Sequence, residues 1–157
     1  MGSVADHGTL AVAPISSSVS PRLICMTTPT IGSLLLSSTD PARLRDWYAT
    51  AFALKIDHTP GEPGYDLLDF GGFYLLIDTR DDVGPTNPEP ARVILNVDVD
   101  DARAIVGRID DLGGRWLAEL DDRDGSLFAT AIDPDGNYIQ LIQLSPQHRA
   151  ELAERGK

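Results

Sequence analysis

From Ile31 onward the sequence runs through one pattern twice, and this repeat limits the possible folds more than any other feature. In the first copy, Ile31 to Ser37 is a short apolar run without helix caps. Ser38-Thr39-Asp40-Pro41 follows, where Thr39 or Asp40 can cap a helix and Pro41 suits its first turn. Leu44, Trp47, Tyr48 and Ala51 then recur at helical spacing, with Arg43, Arg45 and Asp46 facing out, so a strand hands over to an amphipathic helix. Lys55 to His58 reads as a short edge strand. Tyr65 to Phe70 and Phe73 to Thr79 flank Gly71-Gly72, a two-residue hairpin signal.

Asp81 to Pro90, with Pro85, Pro88 and Pro90, is a linker, after which the order begins again. Arg92 to Val97 is the predicted strand. Asp98 or Asp100 caps a helix whose Ala102, Ile105, Val106, Ile109 and Leu112 face inward, and Gly113-Gly114 ends it in a left-handed turn. Arg115 to Leu120 reads as a strand, Glu119 to Gly125 as an acidic loop, and Leu127 to Ile132 and Asn137 to Leu144 as the last two strands. The helix starts even share letters, Asp40-Pro41-Ala42-Arg43 against Asp100-Asp101-Ala102-Arg103. The expected class is α+β, two tandem βαβββ units.

Asp133-Pro134-Asp135-Gly136 is a turn by its chemistry, since Pro134 presets φ and Asp133 can accept from the backbone beyond it. In the strand that follows, Tyr138, Gln140 and Ile142 share one face while Ile139 and Leu141 share the other. Period 2 carried through the strands collects Ser33, Leu35, Ser37, Phe73, Leu75, Ile77, Arg92, Ile94, Asn96, Tyr138, Gln140 and Ile142 on one face. Apolar walls with a few fixed polar groups suit a small-molecule pocket as well as an ordinary covered sheet. Trp116 and Tyr65 are placed at its rim, where aromatic rings can stack on a ligand or pack into the core.

Charge narrows the partners. The formal net charge is −11, and residues 1–30 contribute one Asp and one Arg, so the acidity belongs to the repeat. This argues against nucleic acid or an anionic membrane and for a neutral or cationic small molecule. No apolar run approaches the ~20 residues that span a bilayer. The one cysteine, Cys25, allows no internal disulfide and no cysteine cluster, which makes a reducing cytoplasm the default. Residues 1–30 read as a disordered tail without secretory or myristoylation signals, 31–145 as the domain (units 31–80 and 91–144), and 146–157 as a polar tail.

A duplicated βαβββ unit with Trp47-Tyr48 in the first helix, Gly113-Gly114 after the second and Asp-Pro-Asp-Gly-Asn before the last strand resembles the vicinal oxygen chelate superfamily. That superfamily includes glyoxalase I, the extradiol dioxygenases and the fosfomycin- and bleomycin-resistance proteins. The resemblance covers Ile31 to Leu144 and implies that the two units form a curved mixed sheet around one cavity, with the helices outside, and that the protein is a homodimer. In metal-using members His, Glu or Gln enter the cavity from four strands. The matching positions are Ser33, Ile77, Arg92 and Gln140, of which only Gln140 is a credible ligand. A slip of one residue brings in Leu34, Asp78, Val93 and Ile139 or Leu141, adding one carboxylate and no histidine. His7, His58 and His148 all fall elsewhere in the pattern.

The resemblance therefore implies a member without metal or other cofactor. The leading expectation is a protein that sequesters a small organic ligand, as bleomycin-resistance members do. The alternative is a metal-independent lyase or isomerase acting on a carbonyl compound, with Arg92 stabilising an oxyanion and Asp78, Tyr138 or Gln140 handling a proton. Two further features read more simply as solvated. Glu119, Asp121, Asp122 and Asp124 lack the spacing of a calcium loop, and Asp66, Asp69 and Asp78 pair as acid and base only if their environments differ.

Overall fold

Each helix of the repeat begins at an aspartate. In the computed structural model, which describes residues 29–61 and 64–155, Asp40 accepts from the Arg43 N–H (3.2 Å) and opens α1 (Pro41–Phe52). Asp101 accepts from the Ala104 N–H (3.0 Å) and opens α2 (Ala102–Asp111). The expected caps Asp98 and Asp100 are thereby corrected, because Asp98 still belongs to the preceding strand and Asp100 stops short of the cap. Asp40 corresponds to Asp101, one residue off the match in letters. α1 buries Leu44, Trp47, Tyr48 and Ala51, as its spacing predicts, and α2 buries Ala102, Ile105 and Ile109. Leu112 is not inward but caps the helix end, 41% exposed. The chain leaves α2 through Gly113 at φ +68°. It then passes so close to the helix that a β-carbon on Gly114 would collide with the Ile109 side chain and carbonyl.

The first unit contains β1 (Ser33–Ser38), β2 (Ile56–His58), β3 (Asp66–Asp69) and β4 (Tyr74–Thr79), ordered β1-β4-β3-β2. Its β1 and β4 are parallel, which requires the crossover that α1 supplies, and the other pairs are antiparallel. The second unit contains β5 (Ile94–Asp98), β6 (Arg115–Arg123), β7 (Ser126–Ile132) and β8 (Tyr138–Gln143) in the same arrangement, ordered β5-β8-β7-β6 with β5 parallel to β8. The fold is α+β, two βαβββ units each with its own four-stranded mixed sheet.

The acidic loop expected over Glu119 to Gly125 is instead mostly strand: β6 continues to Arg123, with register shifts along it, and turns on two residues. Asp124 and Gly125 both take positive φ (53° and 83°), the geometry of the tight hairpin turn that Asp-Gly favours. Carboxylates along this outer edge of the sheet discourage pairing with another chain. Residues 146–157, expected as a tail, include a third helix, α3 (Pro146–Arg155). Ser145 Oγ accepts from the His148 N–H (3.2 Å) at its start, and the His148 ring nitrogen Nδ1 lies 2.7 Å from Ser126 Oγ. The expected disorder over residues 1–30 falls, but for the last two residues, outside the described residues.

The two helices lie side by side, with Arg108 Nε donating to the Ala51 carbonyl (2.8 Å). Each covers one face of its own sheet, so a single core runs beneath both, from Leu44 and Tyr48 through Leu68 and Leu75 to Ile109, Ile139 and Leu141. The opposite sheet faces carry no helix of the repeat, and Leu35 of the first sheet and Tyr138 of the second line one cavity. No helix among the described residues is long and apolar enough to cross a membrane.

Candidate functional site

Strand register decides what the helix-free faces carry. In the first sheet Ser33, Leu35 and Ser37 stand opposite Tyr74, Leu76 and Asp78. In the second, Ile94, Asn96 and Asp98 stand opposite Tyr138, Gln140 and Ile142, with Thr130 beside Gln140. Of the predicted pocket residues, Ser33, Leu35, Ser37, Ile94, Asn96, Tyr138, Gln140 and Ile142 therefore share this side. Leu75 and Ile77 do not: they are 0% and 2% exposed beneath α1. The correction has a physical cause, because α1 claims the more apolar parity of β4 and leaves Tyr74, Leu76 and Asp78 on the open side. The polar residues Tyr74 and Asp78, which share that parity, were the signal for it in the sequence.

Arg92 is corrected as a strand residue. Pro88 and Pro90 deny the chain ladder donors here, so Pro90–Arg92 forms a 3-10 turn and the strand starts only at Ile94. The guanidinium grips Glu89 through Nε (3.0 Å) and Nη2 (2.7 Å), with both side chains mostly in solvent. Phe73 closes the β3–β4 hairpin, its carbonyl accepting from the Phe70 N–H (2.9 Å). Trp116 pairs in register with Ala131 on the helix side, packs against the core, and donates its indole N–H to Asp110 Oδ1 (2.8 Å). Tyr65 is half-buried, its backbone N–H on Thr59 Oγ1 (2.8 Å). Asp66 is held at the helix side by Arg45 (3.2 Å) and His58 (2.7 Å), which separates it from Asp69 and Asp78 as an acid–base partner.

The Asp133 turn is anchored from the other unit. Asp133 Oδ1 accepts the N–H groups of Asp135 (2.9 Å) and Asn137 (2.8 Å), and Oδ2 accepts from Asn137 Nδ2 (2.8 Å) and Tyr48 Oη (3.1 Å). Burial pushes the Asp133 carboxyl above its ordinary pKa, against the lowering by these bonds. Burial, reinforced by the Asp133 charge, pushes the Tyr48 phenol well above 10.0. Arg43, read from the sequence as merely outward, reaches the buried Asp135 at 2.7 Å. Asn87 of the linker joins the turn through Asn137 Oδ1 (2.9 Å) and the Asp135 carbonyl (2.6 Å). Tyr138 follows directly from this turn. β1 and β5, the inner edges of the two sheets, face each other across a cavity of about 240 Å³. Leu34, Leu35, Leu36, Val93, Leu95 and Tyr138 line it, with the Tyr48 ring at one side.

The family metal does not fit these residues. Ser33, Asp78 and Gln140 offer a hydroxyl, one carboxylate and one amide, Ile77 is buried hydrocarbon, and Arg92 is an ion-paired cation. Among the described residues no three His, Cys, Asp or Glu side chains group to hold an ion.

Two βαβββ units with paired helices and one shared open side define a domain of the vicinal oxygen chelate superfamily. Residues 33–142 match the glyoxalase-like domain, and the chain belongs to that family. Among solved structures it is similar to the hypothetical protein SA1046 from S. aureus (17% identity, TM-score 0.62), the match covering 75% of this chain and 95% of that one. It is also similar to TnmS3, an antibiotic binding protein from Streptomyces sp. CB03234 (20% identity, TM-score 0.60, covering 76% and 99%). A glyoxalase I mutant from Zea mays matches at 20% identity and TM-score 0.57 over 73% of this chain, which spans under half (44%) of the maize protein. At such identities the likeness is one of fold. No curated protein matches the sequence.

Proposed function

We propose that this protein binds a small organic molecule on the open side of its two sheets, without a metal ion, as a cytoplasmic homodimer. One observation carries the reading: Leu35, Tyr74 and Ile94 are 46%, 39% and 42% exposed on sheet faces whose other positions hold Ser33, Asp78, Asn96 and Gln140. Apolar groups left to water among fixed hydrogen-bonding groups mark an interaction surface, and a second copy of the chain closes it around the ligand. The likeness to an antibiotic binding protein supports a ligand role, and the formal charge of −11 favours a neutral or cationic ligand. The lyase or isomerase reading loses its oxyanion group, since Arg92 is committed to Glu89 outside the strand.

Native mass spectrometry of protein purified without added metal or chelator tests this. The expected species is a dimer carrying an organic adduct, and Tyr138→Ala and Gln140→Leu are expected to shed the adduct with unchanged circular dichroism. A monomer without adduct, or an adduct indifferent to both substitutions, refutes the open-side site.

A further inference from the structure

The two units differ where their symmetry would make them alike. The β7–β8 turn is tied to α1 by the Tyr48 hydroxyl, whereas α2 reaches the β3–β4 side through Ile105, which has no hydrogen-bonding group. At the β3–β4 hairpin a cavity of about 450 Å³ remains, between Phe70–Phe73, the end of α1 and the far end of β5. Its floor is aromatic and aliphatic: Phe52 and Phe70 meet edge to face at 5.1 Å, and Phe73 and Leu54 complete it. Asp69, Asp98 and Asp100 also line it, and no Lys or Arg does. The carboxylates are only lightly committed. Asp69 accepts one backbone N–H in the hairpin (Gly72, 2.6 Å), and Arg149 approaches Asp100 no closer than 3.8 Å. The cavity wraps the edge of β5 that pairs with no strand, so that Leu95 and Val97 line it from one face and Asn96 and Asp98 from the other.

We infer that this hairpin cavity is a second binding site, centred at the far end of β5 and meeting the Tyr138–Gln140 face only along β5 at Leu95 and Asn96, for a flat organic cation with an apolar body. Ring faces attract a delocalised cation, the carboxylates repel an anion, and the aromatic floor takes up the hydrocarbon. A hydrated inorganic cation would leave the apolar floor uncovered, and a neutral hydrocarbon would leave the acidic rim unanswered.

Thioflavin T, a flat cation, and 8-anilinonaphthalene-1-sulfonate, an aromatic anion, separate these possibilities on the full chain. Thioflavin T is expected to saturate one site per chain and to move the amide resonances of Phe70, Gly71, Val97 and Val99. The anion is expected to bind at least about tenfold more weakly. The double substitution Asp69→Asn/Asp98→Asn keeps an acceptor for the Gly72 N–H, and should weaken thioflavin T about threefold to tenfold while binding of the anion grows no weaker. Equal affinity for the two dyes, no binding of the cation, or indifference to the double substitution overturns the inference. Resonance changes centred on Tyr138 and Gln140 overturn it too, while leaving the proposed function standing.

Discussion

At Asp133 two demands oppose each other: burial disfavours the charge, and four donors from Tyr48, Asp135 and Asn137 favour it. Burial wins, so the folded carboxyl titrates above 3.8. A raised pKa means that folding favours the protonated form. The contribution of this group to stability is therefore fully present below the ordinary value and lost as the pH rises through the folded one. Tyr48→Phe removes one donor from the carboxylate and is expected to cost about 1–2 kcal/mol at neutral pH. The loss should shrink as the pH falls through the folded pKa of Asp133, because a protonated carboxyl depends less on that donor. Urea unfolding of both proteins at neutral and acid pH measures it, and a gap that ignores pH would assign Tyr48 to packing alone. The Asp-Pro-Asp-Gly-Asn turn was legible in the sequence, but its anchor was not. The Tyr48 spacing shows a ring facing inward, and nothing local reports that its hydroxyl meets a turn from the other unit.

Elements were legible wherever burial and local chemistry agree, as in α1, whose cap, first-turn proline and apolar stripe all point to one helix. They were misread where several residues compete for one role. Three aspartates precede α2, and which of them caps it depends on where β5 lets go of the sheet. Asp101→Ala is expected to lower stability by about 1 kcal/mol, and Asp100→Ala by less than half of that. Thermal unfolding of both variants decides the matter, since equal losses would mean the helix start is shared or frayed. The β4 parity failed for a related reason: Leu75, Leu76 and Ile77 are all apolar, and only the neighbouring Tyr74 and Asp78 tell the covered face from the open one. In β6 the density of acidic residues suggested a loop. An edge strand tolerates that density because one side of it meets water, and the Asp124-Gly125 turn was the better guide.

At the scale of the whole molecule, the duplication places the family's metal positions on both sheets, and this chain carries too few donors in each. Ile77 and Ser33 fall in the first unit, Arg92 and Gln140 in the second, and substituting Asp78 for Ile77 restores one carboxylate only. An ion held by a hydroxyl, an amide and one carboxylate would have few charged oxygens and no imidazole, too little to offset its dehydration. The consequence is measurable in stability. A metal present at a hundred times its dissociation constant stabilises a fold by about 2.7 kcal/mol. For a domain of this size that corresponds to roughly 10 °C in Tm. Treatment with a chelator is therefore expected to leave Tm unchanged, and added zinc, manganese or nickel is expected not to raise it. A fall of several degrees on chelation, reversed by one of these ions, would show that the chain recruits donors outside the family positions, and the open side would then have to be read as a metal centre.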